Sequence, residues 1–405
     1  MPMRQNSPEI QLLAGSCDYE AMPRLKPYIP FDDTVVTFFE ALSRLLIKHP
    51  DGRLYPDIIT FGFFCRKANL TMLKKPYENS LSCSVGRGVS FHVAPSNVAI
   101  NFAYSLAVGL LSGNACIVRI SSKHFPQTNI VNDMIATVLE KPEFVELKKH
   151  IAIVKYGHSS EINEFFSCLC DIRIIWGGDN TIAEIRKASL PPRSFDITFA
   201  DRYSLCIIKA GEYLNIENKK KVALDFYNDT YLFDQNACSS PRLVYWVGSS
   251  EIIAKAKEIF WNMEQKLLVE KNYRIESVTA VNKYTASCRA ALDYEGVEIA
   301  KTSDNLISRI ELKTLPSDLM EHVCAGGSYF EYSDEASDKL AEIITRKFQT
   351  LTYIGFDGDE LLDLLIRKGV LGIDRIVPCG KAADFGLVWD GYDLIRQMSR
   401  VMYTV

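Results

Sequence analysis

The run Asp234-Gln235-Asn236-Ala237-Cys238-Ser239-Ser240-Pro241 places one cysteine among small and polar residues. A cysteine kept only for packing usually sits in an apolar run, because an unreactive thiol behaves as a small buried hydrophobe. Here the flanks read as a helix over 216–232 and a strand over 242–247. Cys238 therefore falls on a turn between two regular elements, where a rigid scaffold often presents reactive groups. As a thiolate it is a nucleophile for a carbonyl carbon and can carry a covalent acyl intermediate. No neighbouring histidine offers itself as a base, so the thiolate must come from local dipoles or from a residue that the sequence does not reveal. A second chemistry-bearing feature is Gly177-Gly178, which follows the apolar Ile174-Ile175-Trp176. Glycine after a strand lets the backbone approach a pyrophosphate at a helix N-terminus; Asp179 beside it can also simply cap that helix.

Other candidate motifs fall away. Gly86-Arg87-Gly88 has the look of half a dinucleotide fingerprint, but it lacks the third glycine and precedes a strand instead of following one. It reads as a turn into a strand over 89–94. The eleven cysteines contain no C-x-x-C pair. Cys168 and Cys170 have no second cysteine or histidine pair to complete a zinc site, so no metal is expected.

The elements that must hold Cys238 and the glycine pair alternate along the chain. A helix is expected over 98–111, with Ala99, Ala103, Ala107 and Gly109 allowing close approach to a sheet. Ser112-Gly113-Asn114 stops it. Strands over 115–120, 151–155 and 171–176 alternate with helices over 127–140, 160–168 and 180–188, which is the pattern of a doubly wound parallel sheet. Residues 35–47 and 58–64 show helical spacing, so the opening reads as helical. Strands over 195–200 and 204–209 lead into the cysteine domain, where a helix is expected over 251–270. With 405 residues, two large domains are expected. The division reads as a helical part over 1–80, a dinucleotide-binding part over 81–208, a catalytic α/β part over 209–380 and a terminal segment over 381–405.

Composition narrows the partners. The chain is 47% hydrophobic and 24% charged, with a formal net charge of −4. It offers no general field for nucleic acid or anionic lipid, so a phosphate-bearing ligand needs a local site. Residues 98–111 are too short to span a membrane. No secretory leader is apparent at the start, and free thiols suit a reducing cytoplasm.

The cysteine run and three further blocks resemble the aldehyde dehydrogenase superfamily, and the Ser-Ser-Pro tail and Trp389-Asp390-Gly391-Tyr392 resemble its LuxC-type branch, the fatty acyl-CoA reductases. The resemblance implies an aldehyde dehydrogenase-like α/β fold and makes Cys238 the nucleophile. Ala94-Pro95-Ser96-Asn97 matches a Pro-Trp-Asn segment, so Asn97 is implied as a donor to the thiohemiacetal oxygen, with Pro95 and Ser96 in the cofactor-binding set. Without the resemblance, Asn97 is equally the N-cap of the following helix. Gly113-Asn114…Arg119 with Ser121-Ser122-Lys123 matches the family's ribose-binding block. Arg119 stands where the family has lysine, and Ser122 where NAD-preferring members have glutamate. Loss of that anion beside Lys123 implies NADPH, although Lys123 can also be a solvated loop residue. Gly177 and Gly178 occupy the place of the family's pyrophosphate turn.

One departure sharpens the implied reaction. Phe199 falls on the position of the glutamate that activates water in aldehyde-oxidising members, so an acyl-cysteine here should await hydride. The resemblance thus implies reduction of an acyl-CoA or acyl-protein thioester to an aldehyde. It also implies an acyl-protein synthetase (LuxE-type) partner and a homo-oligomer. An acyl-phosphate reductase on the same scaffold and a non-catalytic acyl carrier remain as alternatives.

Overall fold

Long apolar runs set the strands of the first half. In a computed structural model, which describes residues 10–300 and 304–404, these are β1 (Gln11–Gly15), β2 (Ser84–Gly86), β3 (Val89–Val93), β4 (Ala115–Arg119), β5 (Ile151–Lys155), β6 (Ile172–Trp176) and β7 (Phe195–Phe199). Six of them form one sheet in the order β1-β5-β4-β3-β6-β7. All its pairs are parallel except β1 with β5. Strands β3 and β6 are buried along their whole length, as parallel strands covered on both faces must be. The opening is not purely helical: β1 adds an antiparallel edge. Its Gln-Leu-Leu-Ala-Gly has no period-2 pattern, so only the pairing with β5 makes it a strand.

The chain steps from β3 outward to β4 and β5, then returns to the other side of β3 for β6 and β7. This makes β3 the switch point, where doubly wound sheets take ligands beyond the carboxyl ends of their strands. The helix after β3 runs Asn101–Leu111. A Cβ on Gly109 would come within 2.6 Å of the Cys116 sulfur and 2.9 Å of the His92 ring, so helix and sheet meet at this glycine. Gly113 ends the segment at φ +89°, with a would-be Cβ only 2.1 Å from the Tyr28 carbonyl oxygen. Glycine is the residue that tolerates both constraints.

The second half contains β8 (Tyr203–Lys209), β9 (Pro241–Val247), β10 (Glu298–Ile299), β11 (Ser308–Glu311), β12 (Ser328–Asp334), β13 (Phe348–Ile354) and β14 (Arg375–Pro378). Their order is β10-β11-β12-β9-β8-β13-β14, with only β10 antiparallel to its neighbour. Strand alternation sends Tyr203, Leu205 and Ile207 into one apolar layer and Cys206 and Ile208 into the other. The second layer is completed by the helix Ser250–Glu270 through Ile253, Ala256, Phe260 and Trp261.

The last strands, β15 (Val388–Trp389), β16 (Tyr392–Asp393) and β17 (Ser399–Val401), return to the first half, where β17 pairs with β2. The chain accordingly forms two units, residues 1–200 with 386–405, and residues 201–385. The division falls after Ala200 and not at 208 because β8 pairs with β9 and β13. No described helix is long and apolar enough to cross a membrane.

Glu264 is an anomaly in the second core. It is fully buried, and neither carboxylate oxygen has a hydrogen-bond partner among the described residues. Burial pushes its carboxyl well above the usual carboxylate range. A carboxyl raised in the folded state lends full stability below its unfolded pKa of about 4.3 and loses it as pH rises toward the folded value. Glu264→Met should therefore be more stable than the parent at pH 8, by at least the roughly 1–3 kcal/mol that an unsatisfied buried polar group costs at any pH, because the ionisation cost adds to it there. The gain should shrink toward pH 4.5. Urea unfolding at both pH values checks this, and a difference that does not change with pH rejects it.

Candidate active site

The segment before Cys238 is conformationally costly. Asp234 and Gln235 both have left-handed backbones, φ +51° and +58°, unusual for side chains with a Cβ. The helix Lys219–Thr230, shorter than the expected 216–232, passes into a 3-10 turn, Tyr231–Phe233, and these two residues turn the chain back. The buried Gln235 side chain holds the turn in place. Its Nε2 donates to the Pro241 and Ser328 carbonyls at 2.8 and 2.9 Å. Its Oε1 accepts from the Gly327 and Ser328 N–H groups at 3.1 and 2.9 Å. All four hydrogen-bonding positions of the amide are used.

Arg242 closes the loop from the other side. Its guanidinium donates to the carbonyls of Gln235 (2.9 Å), Ser240 (3.2 Å) and Ala237 (3.5 Å). Burial pushes the Arg242 pKa down, while Tyr203, Cys238 and Cys324 favour its charged form. A buried cation thus sits in the electrostatic surroundings of the cysteine and favours the thiolate. Cys238 itself is half-buried. Its carbonyl accepts from Ser204 Oγ at 2.7 Å, and that hydroxyl accepts from the Thr350 N–H at 3.2 Å. Its Sγ accepts from Gln349 Nε2 at 3.3 Å.

In the first unit, Arg119 is the last residue of β4, and the other expected cofactor residues lie on the loops that follow β3, β4 and β6. Pro95, Ser121 and Lys123 line one depression with Ala94, Ile120 and Phe125. Counting space open to solvent, it measures about 240 Å³. Lys123 is exposed, its ammonium 5.1 Å over the Phe125 ring. Ser96, Asn97 and Ser122 are exposed on the same loops without lining the depression. Asn97 does not cap the next helix, because that helix starts at Asn101 with Ile100 as N-cap. Arg119 is directed elsewhere: its guanidinium lies 4.7 Å over the Tyr156 ring and donates to the Gly157 carbonyl at 3.4 Å. Gly177 and Gly178 precede a helix of seven residues, Asp179–Ile185, shorter than expected; at its end the carbonyls of Ile185 and Ala188 accept from the Arg173 guanidinium at 3.0 and 2.9 Å. Gly178 is its N-cap and Asp179 its first residue.

Phe199 is buried at the end of β7, stacked on Trp176 with ring centroids 3.6 Å apart and 10° between planes. Trp176 is anchored by its Nε1, which donates to Ser105 Oγ at 2.9 Å. Gly86-Arg87-Gly88 is engaged by protein groups, since the N–H groups of Arg87 and Gly88 donate to Asn114 Oδ1 at 2.8 and 3.2 Å. Asn114 Nδ2 in turn donates to the Met398 carbonyl at 2.9 Å.

A family model described as acyl-CoA reductase (LuxC) matches residues 24–289, more than half of the chain. The chain belongs to the acyl-CoA reductase (LuxC) family. It is 28% identical over 168 residues to long-chain acyl-protein thioester reductase 2 of Photobacterium leiognathi, a match covering 40% of this chain and 33% of that protein. To the long-chain acyl-protein thioester reductase of Vibrio harveyi it is 22% identical over 322 residues, 78% of this chain and 63% of that protein. The matches thus span less than two thirds of these relatives' length. A solved NAD-dependent benzaldehyde dehydrogenase from Corynebacterium glutamicum superposes with a TM-score of 0.63 at 14% identity, covering 98% of this chain and 95% of that one. The fold is that of the aldehyde dehydrogenases, as the α/β alternation and motif order lead one to expect.

Within this LuxC-family chain, sequence reading missed Arg242, Ser204 and Gln349. In the sequence, Arg242 reads as an ordinary strand residue. The available signal was polarity out of place: Gln349, Thr350 and Thr352 are fully buried in a strand whose neighbours are apolar. Replacing Arg242 with methionine takes the guanidinium from the Gln235 and Ser240 carbonyls, while the Ala237 carbonyl keeps the Ser240 N–H. Arg242→Met should lower unfolding stability by roughly 1–3 kcal/mol, as expected for uncompensated buried polar groups. Amide exchange over 235–240 should accelerate, and unchanged exchange there would show that the guanidinium does not hold the loop.

Proposed function

We propose that this chain is a reductase of long-chain acyl thioesters that carries the acyl group on Cys238 and releases an aldehyde, with NADPH as reductant. The observation that carries the reading is Cys238 itself. It is a half-exposed thiol on a strained polar loop, clamped by Gln235 and Arg242, in a chain of the LuxC family. The names of the relatives favour an acyl-protein thioester as donor, with acyl-CoA as the alternative thioester. An acyl-protein synthetase is the kind of partner that would supply it.

In this reading the Cys238 thiolate attacks the thioester carbonyl carbon. The new S–C bond forms as the donor's C–S bond breaks, and the departing thiolate takes a proton from solvent. The Cys238 N–H is assigned to the developing oxygen charge, where a fixed donor acts most strongly. Bound NADPH supplies the hydride. The depression beside β3 and β4 is where this reading puts an adenosine portion: Pro95, Ile120 and Phe125 offer apolar surface, and Ser121 and Lys123 offer polar groups. Phe199, stacked on Trp176, keeps a carboxylate base from its position, which disfavours hydrolysis of the acyl-cysteine.

Incubation with radiolabelled long-chain acyl-CoA in the absence of NADPH should leave label on the protein. That label should vanish in Cys238→Ala and leave the parent only slowly as free acid. Normal labelling of Cys238→Ala, or rapid acid release by the parent, would sink the reading. NADPH should bind about tenfold more tightly than NADH, the lower end of a charge-assisted contact because Lys123 is exposed. Lys123→Ala should erase that difference in a fluorescence titration; equal affinities in the parent would reject the assignment.

A further inference from the structure

The two strands flanking β8 are both irregular at one level. Between β8 and β13, Tyr203 faces Phe348 and Leu205 faces Leu351, so β13 carries an extra residue in the Gln349-Thr350 stretch opposite Ser204. Between β8 and β9, Ser204 faces Pro241 and Leu205 faces Leu243, so Arg242 is the extra residue there. Such bulges are rare between parallel strands and bend a strand so that it re-aims a side chain. Each of these serves the same loop. One turns the Arg242 guanidinium onto the carbonyls of Gln235, Ala237 and Ser240. The other brings the Thr350 N–H to Ser204 Oγ and the Gln349 carboxamide to Cys238 Sγ at 3.3 Å.

We propose that Gln349 is a catalytic residue of this site, whose side-chain N–H stabilises the Cys238 thiolate both as it attacks and as it leaves. The inference rests on the reading of Cys238 as the acyl-accepting thiol. A fully buried carboxamide has little freedom to turn away, and its backbone carbonyl is held by the Asp374 N–H at 2.8 Å. Its Oε1 is oriented by the Thr350 hydroxyl at 3.3 Å, which leaves Nε2 to face the sulfur. A hydrogen bond to the charged form of a group favours that form. Intrinsic nucleophilicity falls at most about half as fast as thiolate fraction rises, so bringing the thiol pKa down toward ambient pH is a net gain. The same bond assists the step in which the thiohemiacetal carbon–sulfur bond breaks. The electron pair returns to Sγ, the aldehyde carbonyl forms, and Cys238 is regenerated as thiolate.

The test is the pH dependence of Cys238 alkylation by iodoacetamide in the full-length protein, read by peptide mass spectrometry so that the other cysteines do not interfere. The parent midpoint should lie below the free-cysteine value of about 8.5. Gln349→Met removes the donor at similar volume, and Gln349→Glu puts a carboxylate there. Both should raise the midpoint, the methionine variant by about one unit, with about a threefold loss of reactivity at low pH, since the tenfold smaller thiolate fraction is partly offset by a more nucleophilic thiolate, and the glutamate variant by more. Unshifted midpoints in folded variants overturn the proposal. So does a parent midpoint at or above the free-cysteine value, which needs no variant to fold. Acyl labelling separates the two ideas. If Cys238→Ala keeps its label while Gln349→Met shifts the midpoint, the acyl-transfer reading fails and the thiolate contact stands. If the label is lost but the midpoint does not move, the reverse holds.

Discussion

The hydrogen bonds of Gln235 and Arg242 to the backbone around Cys238 are what the second unit is built to provide. Two consecutive left-handed residues cost on the order of 1–2 kcal/mol each, and no glycine relieves them at Asp234 and Gln235. The turn persists because a fully satisfied carboxamide fastens it to β12 and a buried guanidinium fastens three of the loop's carbonyls. Arg242 belongs to β9 and Gln235 is bonded to Ser328 of β12, so the loop is fastened to two strands of the sheet. Rigidity at this point is what a nucleophile needs, since attack requires the sulfur to be held close to one trajectory.

The placement also departs from the usual rule for open α/β sheets. Cys238 lies just before β9, Ser204 near the start of β8 and Gln349 near the start of β13, at the amino ends of parallel strands. Ligands of doubly wound sheets ordinarily gather at the carboxyl ends. The amino-end location works here because two bulges at one level bring polar side chains out of an otherwise apolar layer. Without them, period-2 alternation would direct Arg242 and Gln349 by the same register as their apolar neighbours.

The first unit follows the ordinary rule. Apart from Arg119 on β4, its candidate cofactor residues occupy the loops after β3, β4 and β6, around the switch point at β3. Asn114 ties the Gly86–Gly88 turn to the returning tail through Met398, so this part of the Gly113-Asn114 block has a structural task. The stacked Trp176–Phe199 pair fills the end of β6 and β7 with aromatic surface. An ionised carboxylate placed there would meet burial and ring faces, both of which disfavour it.

Much of this architecture was legible in the sequence because its causes are local. Apolar runs of five residues, the helix stop at Gly113 and the polar setting of Cys238 each depend on near neighbours, and together they yielded the α/β alternation and the candidate nucleophile. Boundaries shifted where a distant partner decides them: β1 is a strand only through β5, and β8 joins the second unit only through β9 and β13. Most of the support around the thiol was likewise illegible. Gln349 is 111 residues from Cys238 along the chain, and Ser204 is 34 residues from it. Arg242 is close in sequence but was hidden in a strand pattern that gives no sign of a bulge. A one-residue slip of register depends on how three strands pair at once, and pairing is a property of the folded sheet, so tertiary structure alone decided which polar side chains meet the sulfur.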